Sequence, residues 1–420
     1  MVPTLIHADG LVPGDRAAMR DAAVLVASDG EVLDVGEATT LLPRHAGAKI
    51  ERVHGVIFPG LVNAHTHVEL SAMRGSVPGG RGFVAWVDGF VGRRAEVDPD
   101  EERAAILRAA ADLDAFATAA VGDVSNRLGA VHALAEHGIG GSVFHEVFGA
   151  REEALRAAVD ALETALAQTV GAWPTTDLAY AVAPHTLYTT HPAVVHDLMA
   201  RAMGSQVVTS LHLAEHPAER RALESAEGPI VEWLRVRTNG AADGFPWPRK
   251  SPIAHADAVG AIGPHVLSVH VTDARPDEMA LLRERNARVV LCPRSNLHIE
   301  LKLPPLIALR AAGIEAALGT DSLASNASLD VLAEAVALRD RFPTLPAAEL
   351  VQMATWNGAR ALGRADLGRV VKGSRPGIAA VDGALGEMEP AELLLRSVKA
   401  PRRWVSRRSR RGAMREGGAS

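Results

Sequence analysis

The chain has 420 residues, a formal net charge of −6 and 48% hydrophobic residues, enough to bury a large α/β core and too balanced in charge to suggest nucleic acid or an anionic surface as partner. Its single cysteine, Cys292, excludes a disulfide framework and a metal site of the cytidine-deaminase type, and fits a reducing cytosol. No apolar run reaches the ~18 residues of a membrane span, and the opening MVPTLIHADG has no signal-peptide pattern, so a soluble cytoplasmic protein is expected.

Residues 1–55 are short apolar runs broken by Asp-Gly and Pro-Gly, with Asp29-Gly30 as a hairpin turn. The same texture returns in KGSRPGIAAVDG near the C-terminus, which predicts a small β-domain built from both chain ends. Next comes FPGLVNAHTH, an apolar run ending in His65 and His67. Side chains alternate along a strand, so both imidazoles would share one face and could begin a metal site. A helix is predicted after Asp98, with Pro99 at its first position and Glu101 at its third. From there strand-like runs alternate with amphipathic stretches: AAVGDVSN, IGGSVFHEVFG, LAYAVAPHTLY, QVVTSLHLAEH, VLSVHVTD, ARVVLCPRSN and IEAALGTDS. With the opening run these make eight β/α units, the pattern of a TIM barrel. A doubly wound sheet is less favoured, because no GxGxxG occupies the first turn. The long connection 217–264 reads as one helix plus an irregular insertion over the barrel mouth. The chain closes on eight basic residues between Lys399 and Arg415, read as a solvated tail.

Barrel active sites lie at the C-terminal strand ends, and metal-ligating residue types recur there. His65 and His67 end the first run, and His212 and Glu215 end the fifth. His270 ends the sixth and Asp321 the eighth. Imidazoles with a carboxylate suit Zn²⁺ or a similar divalent ion and leave a position for water.

On these motifs the chain resembles the amidohydrolase superfamily. PGLVNAHTH, HLAEH, LCPRSN and LGTDSLASN are similar to its aminohydrolases of N-heterocycles, which include deaminases of adenosine derivatives, S-adenosylhomocysteine, guanine and aminodeoxyfutalosine, and triazine chlorohydrolases. The resemblance covers residues ~1–400. It implies an α/β fold: a (β/α)8 TIM barrel over 56–364 and a small β-sandwich domain from 1–55 plus 365–405, while the basic tail over 406–420 is expected from its composition to be flexible. It further implies one divalent ion, Zn²⁺ before Fe²⁺, held by His65, His67, His212 and Asp321. Binuclear members bridge their ions with a carboxylated lysine on strand 4, but no lysine occurs between Lys49 and Lys250. Arginine cannot form that carbamate, so a mononuclear site is expected.

The implied chemistry is attack by a water acidified by the ion. Glu215 moves a proton to a ring nitrogen, and His270 with the second oxygen of Asp321 holds the intermediate. The expected substrate is a small aminopurine-type nucleoside or base. CPRSN followed by LPPL most resembles aminodeoxyfutalosine deaminases, so the reading leans to an adenosine-like molecule such as 6-amino-6-deoxyfutalosine. A triazine-type chlorohydrolase, a guanine deaminase and a non-catalytic metal-binding barrel are the alternatives. No nucleic acid or membrane partner is expected, and a homodimer is left open.

Candidate substrate contacts are His185, Glu69, Trp86, Asn126 and Glu146. His185 sits where related adenosine deaminases place a histidine followed by Pro-Tyr, but here Thr-Leu-Tyr-Thr follows. Glu69 shares the strand parity of His67, Trp86 is either a stacking surface for a ring or a core residue, and Asn126 and Glu146 end strands 2 and 3. Ser295, Asn296 and Ser322 are read as supports of the site, and Cys292 as inert packing.

Overall fold

The computed structural model describes residues 2–169, 173–240 and 242–408. The N-terminal strands are β1 (Thr4–Leu11), β2 (Met19–Val26), β3 (Val32–Glu37) and β4 (Lys49–Pro59). The hairpin between β2 and β3 turns at Asp29-Gly30, with Gly30 at φ 87°, a conformation that favours glycine.

The next eight strands are β5 (Leu61–Thr66), β6 (Thr118–Ser125), β7 (Gly140–Val147), β8 (Leu178–Pro184), β9 (Thr209–Leu213), β10 (Val266–His270), β11 (Arg288–Leu291) and β12 (Ala317–Leu318). They correspond to the eight predicted runs. All neighbours pair in parallel, in two four-stranded sheets ordered β5-β6-β7-β8 and β9-β10-β11-β12. Every residue of β5, β6, β9 and β10 is buried, as parallel strands covered on both faces require.

Parallel bridges Thr66↔Asp321 and Thr186↔His212 join the two sheets at their C-terminal ends. The His65 carbonyl accepts from the Thr320 and Asp321 amides at 2.9 and 3.1 Å, and the His185 carbonyl accepts from the His212 amide at 3.1 Å. Gly319 makes the first join possible: a Cβ there would lie 2.7 Å from the Cβ of His65.

Helices cover these sheets. That over Pro99–Ala115 starts as predicted, with the Asp98 carboxylate accepting from the Asp100 and Glu101 amides at 2.9 and 3.2 Å. The connection 217–264 departs from expectation. It holds three helices, Pro217–Ser225, Pro229–Arg237 and Pro252–Ala258, each with proline in its first turn, where the missing N–H costs no hydrogen bond.

The two chain ends do meet. Strands β13 (Ile378–Asp382) and β14 (Arg403–Ser406) complete one six-stranded sheet, ordered β14-β13-β4-β1-β2-β3. Two facing sheets of a sandwich are not distinguished among the described residues. β13 pairs antiparallel along the second half of β4 (Ile378↔Pro59), so the C-terminal strands extend the N-terminal sheet edgewise.

The start of the basic tail is docked. Arg407 forms hydrogen bonds of 2.8 and 3.0 Å with Asp114, and Arg408 reaches the Gly138 carbonyl at 3.0 Å. Trp404 donates to Asp114 at 2.8 Å. The remainder of that predicted flexible tail, 409–420, lies outside the described residues. No helix among those residues is long and apolar enough to cross a membrane.

Candidate active site

The joins between the two sheets bring His65, His67, His212, His270, Glu215 and Asp321 together. His65, His67 and His212 offer ring nitrogens within 4.8 Å of one another. The His67 and His212 Nε2 atoms stand 3.3 Å apart. Asp321 Oδ1 lies 3.5 Å from His67 Nε2 and 3.9 Å from His65 Nε2. Two ligands at about 2.0–2.1 Å on a tetrahedral ion are separated by about 3.4 Å, so this spacing suits one Zn²⁺-sized cation.

The protonation pattern points the same way. His212 Nδ1 donates to the His185 carbonyl at 3.0 Å, which leaves Nε2 a bare lone pair aimed at His67. Neither ring nitrogen of His65, fully buried, has a hydrogen-bond partner among the described residues. Burial holds His65 and His67 below the ordinary imidazole range, keeping them neutral and able to ligate. Clustered neutral nitrogens with unspent lone pairs are costly to bury unless a cation takes them.

Asp321 departs from one expectation. Its Oδ2, which was to assist at the intermediate, accepts from the Ser295 and Ser325 hydroxyls at 2.6 and 3.2 Å. Oδ1 accepts from the Ser322 amide at 2.7 Å and is the oxygen that faces the histidines. Ser295 and Ser322 thus support the site as foreseen; Ser325 was missed, though it stands in the quoted LGTDSLASN.

Glu215 and His270 form the second half of the site. Glu215 Oε1 is 3.6 Å from His270 Nε2. The Asn296 amide N–H donates to His270 Nδ1 at 3.2 Å, placing the imidazole proton on Nε2, toward Glu215. Burial first, then the charges of Asp321, Glu219 and Glu300, pushes the Glu215 carboxyl well above the usual carboxylate range. A carboxyl raised in this way holds a proton more readily than an exposed one, as a proton carrier must.

Three of the remaining candidates stand close to the ligand set. Glu146 Oε1 lies 3.6 Å from His212 Nδ1, and its Oε2 accepts from the Asn126 amide at 3.2 Å. Arg94, not foreseen, donates to Asn126 Oδ1 at 3.0 Å. His185 is anchored through Nδ1 to Thr189 Oγ1 at 2.9 Å, and its ring meets His212 edge-on at 5.1 Å.

Glu69 is placed differently from expectation, and Trp86 takes the core reading of the two it was given. The strand ends at Thr66 and a 3₁₀ turn runs from Val68 to Met73, so strand parity no longer applies to Glu69. Its carboxylate accepts from Ser125 Oγ at 2.6 Å and from the Asn126, Arg127 and Gly129 amides, which leaves it holding the loop after β6. Trp86 is buried in an apolar cluster and stacks on Phe90 at 5.3 Å. Cys292 is fully buried, and burial pushes its thiol well up, consistent with inert packing.

The amidohydrolase family model matches residues 56–405. The chain belongs to the amidohydrolase family. Among curated amidohydrolase relatives, aminodeoxyfutalosine deaminase of Deinococcus radiodurans is 30% identical over 370 residues, which span 86% of this chain and 85% of that protein. The crystal structure of Helicobacter pylori aminofutalosine deaminase in complex with methylthio-coformycin superposes with a TM-score of 0.85 at 22% identity, covering 97% of this chain and 99% of that one. An adenosine deaminase from Xanthomonas campestris with bound zinc gives a TM-score of 0.73 at 23% identity, over 97% and 90% of the two chains.

Proposed function

We propose that this amidohydrolase is a metal-dependent hydrolytic deaminase that releases ammonia from an aminopurine nucleoside, with an adenosine-like molecule such as 6-amino-6-deoxyfutalosine as its substrate. One observation carries the reading: His65, His67, His212 and Asp321 converge beside an acid–base pair, Glu215 and His270. The names of the relatives, deaminases of adenosine-type nucleosides, support the substrate class.

We further read the two parallel sheets as the halves of one closed (β/α)8 barrel, bridged at β5/β12 and β8/β9. The catalytic domain then spans 56–364 and the small domain 1–55 plus 365–405, with the join inside β4.

His65 Nε2, His67 Nε2, His212 Nε2 and Asp321 Oδ1 would hold a single ion, with zinc the best match to three nitrogens and one oxygen. When bound, that ion supplies an acidified water as nucleophile. Glu215 takes the proton of the attacking water and passes it to the ring nitrogen next to the amine-bearing carbon. Protonation there draws electrons from the carbon and opens it to attack. His270, its Nε2 proton fixed by Asn296, donates to the oxygen as it adds to the ring carbon, which becomes tetrahedral. Glu215 then carries the proton of the added hydroxyl to the amine, and the C–N bond breaks to release ammonia. Ser295, Ser325 and the Ser322 amide keep Asp321 from rotating. Glu146 and His185 are the substrate contacts of this scheme, with Asn126 and Arg94 bracing Glu146.

The test is ammonia release from metal-reconstituted protein with adenosine, methylthioadenosine, S-adenosylhomocysteine, guanine and aminodeoxyfutalosine. The nucleosides should release ammonia and guanine should not. Chloride release from a chlorotriazine with no ammonia from the panel would instead make the chain a chlorohydrolase.

A further inference from the structure

The peptide that carries Glu215 leaves β9 through Ala214, whose φ of 49° is strained for any residue with a Cβ. Such a bend persists only where its surroundings hold it. The Ala214 carbonyl accepts from the Asp273 amide at 2.7 Å. His216, directly after Glu215, accepts the Glu219 amide through Nδ1 at 3.1 Å and meets Tyr188 Oη through Nε2 at 3.3 Å. Phe83 stacks on the same imidazole at 3.9 Å.

The remaining hold is a carboxylate. Glu219 Oε1 accepts from the Ala214 amide at 3.0 Å, and Oε2 accepts from the Glu215 amide at 2.8 Å. Glu219 is 1% exposed and forms no ion pair of 4.0 Å or less among the described residues. It stands at the third position of the helix Pro217–Ser225, whose cap is His216. A glutamate at that position ordinarily turns back to the N–H of the cap residue. Here it passes the cap and grips the two amides before it, one of which belongs to Glu215. A buried carboxylate committed to that peptide does more than start a helix.

We propose that Glu219 is a positioning residue: by clamping the 214–215 peptide it keeps the Glu215 carboxyl within proton-transfer reach of the substrate ring. The inference rests on the reading of Glu215 as the proton carrier. Glu219→Gln keeps one acceptor oxygen but sets an NH₂ against the second amide, whereas Glu219→Ala removes both bonds.

For ammonia release from adenosine, Glu219→Gln should lower kcat by about 10–100-fold, the loss of one charge-assisted bond, and Glu219→Ala by more. KM and bound metal should stay near wild type. Chloride release from 6-chloropurine riboside, whose leaving group needs no proton, should fall far less in both variants. A purely structural role would lower the two reactions alike. Hydrogen–deuterium exchange of residues 212–216 gives a readout independent of turnover and should quicken at least about tenfold in Glu219→Ala.

If no nucleoside of the panel, aminodeoxyfutalosine included, releases ammonia from wild type, the deaminase reading fails, and exchange alone still decides whether Glu219 holds the peptide. Unchanged exchange, an unchanged kcat, or an equal loss for both leaving groups overturns the inference. Should Glu219→Ala not fold, the near-isosteric Glu219→Gln decides the same comparison.

Discussion

Replacing Glu215 with glutamine probes the proposed chemistry at its narrowest point. The side chain is 8% exposed and sits 3.6 Å from His270 Nε2, so the amide fits the same space. What it loses is the capacity to take a proton on one side and release it on the other. General acid–base transfer contributes typically about 10²–10⁴-fold, or roughly 3–5 kcal/mol of barrier, and the burial of Glu215 argues against bulk water replacing it. We therefore expect kcat for ammonia release from an adenosine-type nucleoside to drop by at least about 10²-fold, with bound metal near wild type, because Glu215 is not among the proposed ligands. Chloride release from 6-chloropurine riboside should retain at least tenfold more of its wild-type rate than ammonia release does, since chloride departs as an anion (about 1.4 kcal/mol of difference). Stopped assays for ammonia and chloride on one metal-quantified preparation measure both. An equal loss for both leaving groups, or loss of the metal, would remove Glu215 from the role of proton carrier.

Four other outcomes follow from the geometry. His67→Asn removes the nitrogen 3.3 Å from His212 Nε2, and should abolish both stoichiometric metal and the rise in Tm that zinc gives wild type, read by elemental analysis and differential scanning fluorimetry. Ser295→Ala frees Asp321 Oδ2 from its 2.6 Å donor and should weaken zinc affinity by about 10–100-fold in a chelator competition. Burial, then the Lys250 charge, lowers His255 to about 4 from 6.5, so below pH 6.5 the unfolded chain takes up a proton that the folded chain refuses. That residue makes stability fall with pH between 6.5 and about 4 by up to about 1.4 kcal/mol per unit, and His255→Leu should flatten the urea-unfolding profile by that amount. Arg402 grips Asp330 with bonds of 2.8 and 2.7 Å, and Arg402→Met should cost about 3–5 kcal/mol in denaturant unfolding by stranding a buried carboxylate.

Much of the site was legible because its residues end buried strands, where side-chain parity and the C-terminal position of barrel sites both apply. His65, His212 and His270 lie within their strands, His67 and Asp321 fall one and three residues past the ends of theirs, and the structure gathers all five. Glu69 escaped it because a 3₁₀ turn begins at Val68, and inside that turn counting by twos has no meaning. Arg94 acts through a partner 32 positions away, which no local pattern marks, whereas Ser325 and Glu219 each reach a partner four positions away, and spacing alone does not say which oxygen or amide they take. The single six-stranded sheet was illegible for a related reason. Composition showed that both ends form strands, but which edge β13 joins depends on pairing across more than 300 residues. The docking of Arg407 on Asp114 is likewise a long-range ion pair, and a run of arginines by itself reads as solvated.

Crystals of zinc-reconstituted protein, with anomalous data collected at the zinc edge, reach the centre of this account. One peak per chain, bonded to His65, His67, His212 and Asp321 Oδ1 at about 2.0–2.2 Å, is the outcome the geometry requires. Two peaks, or a single one held by Glu146 and His185, would contradict it.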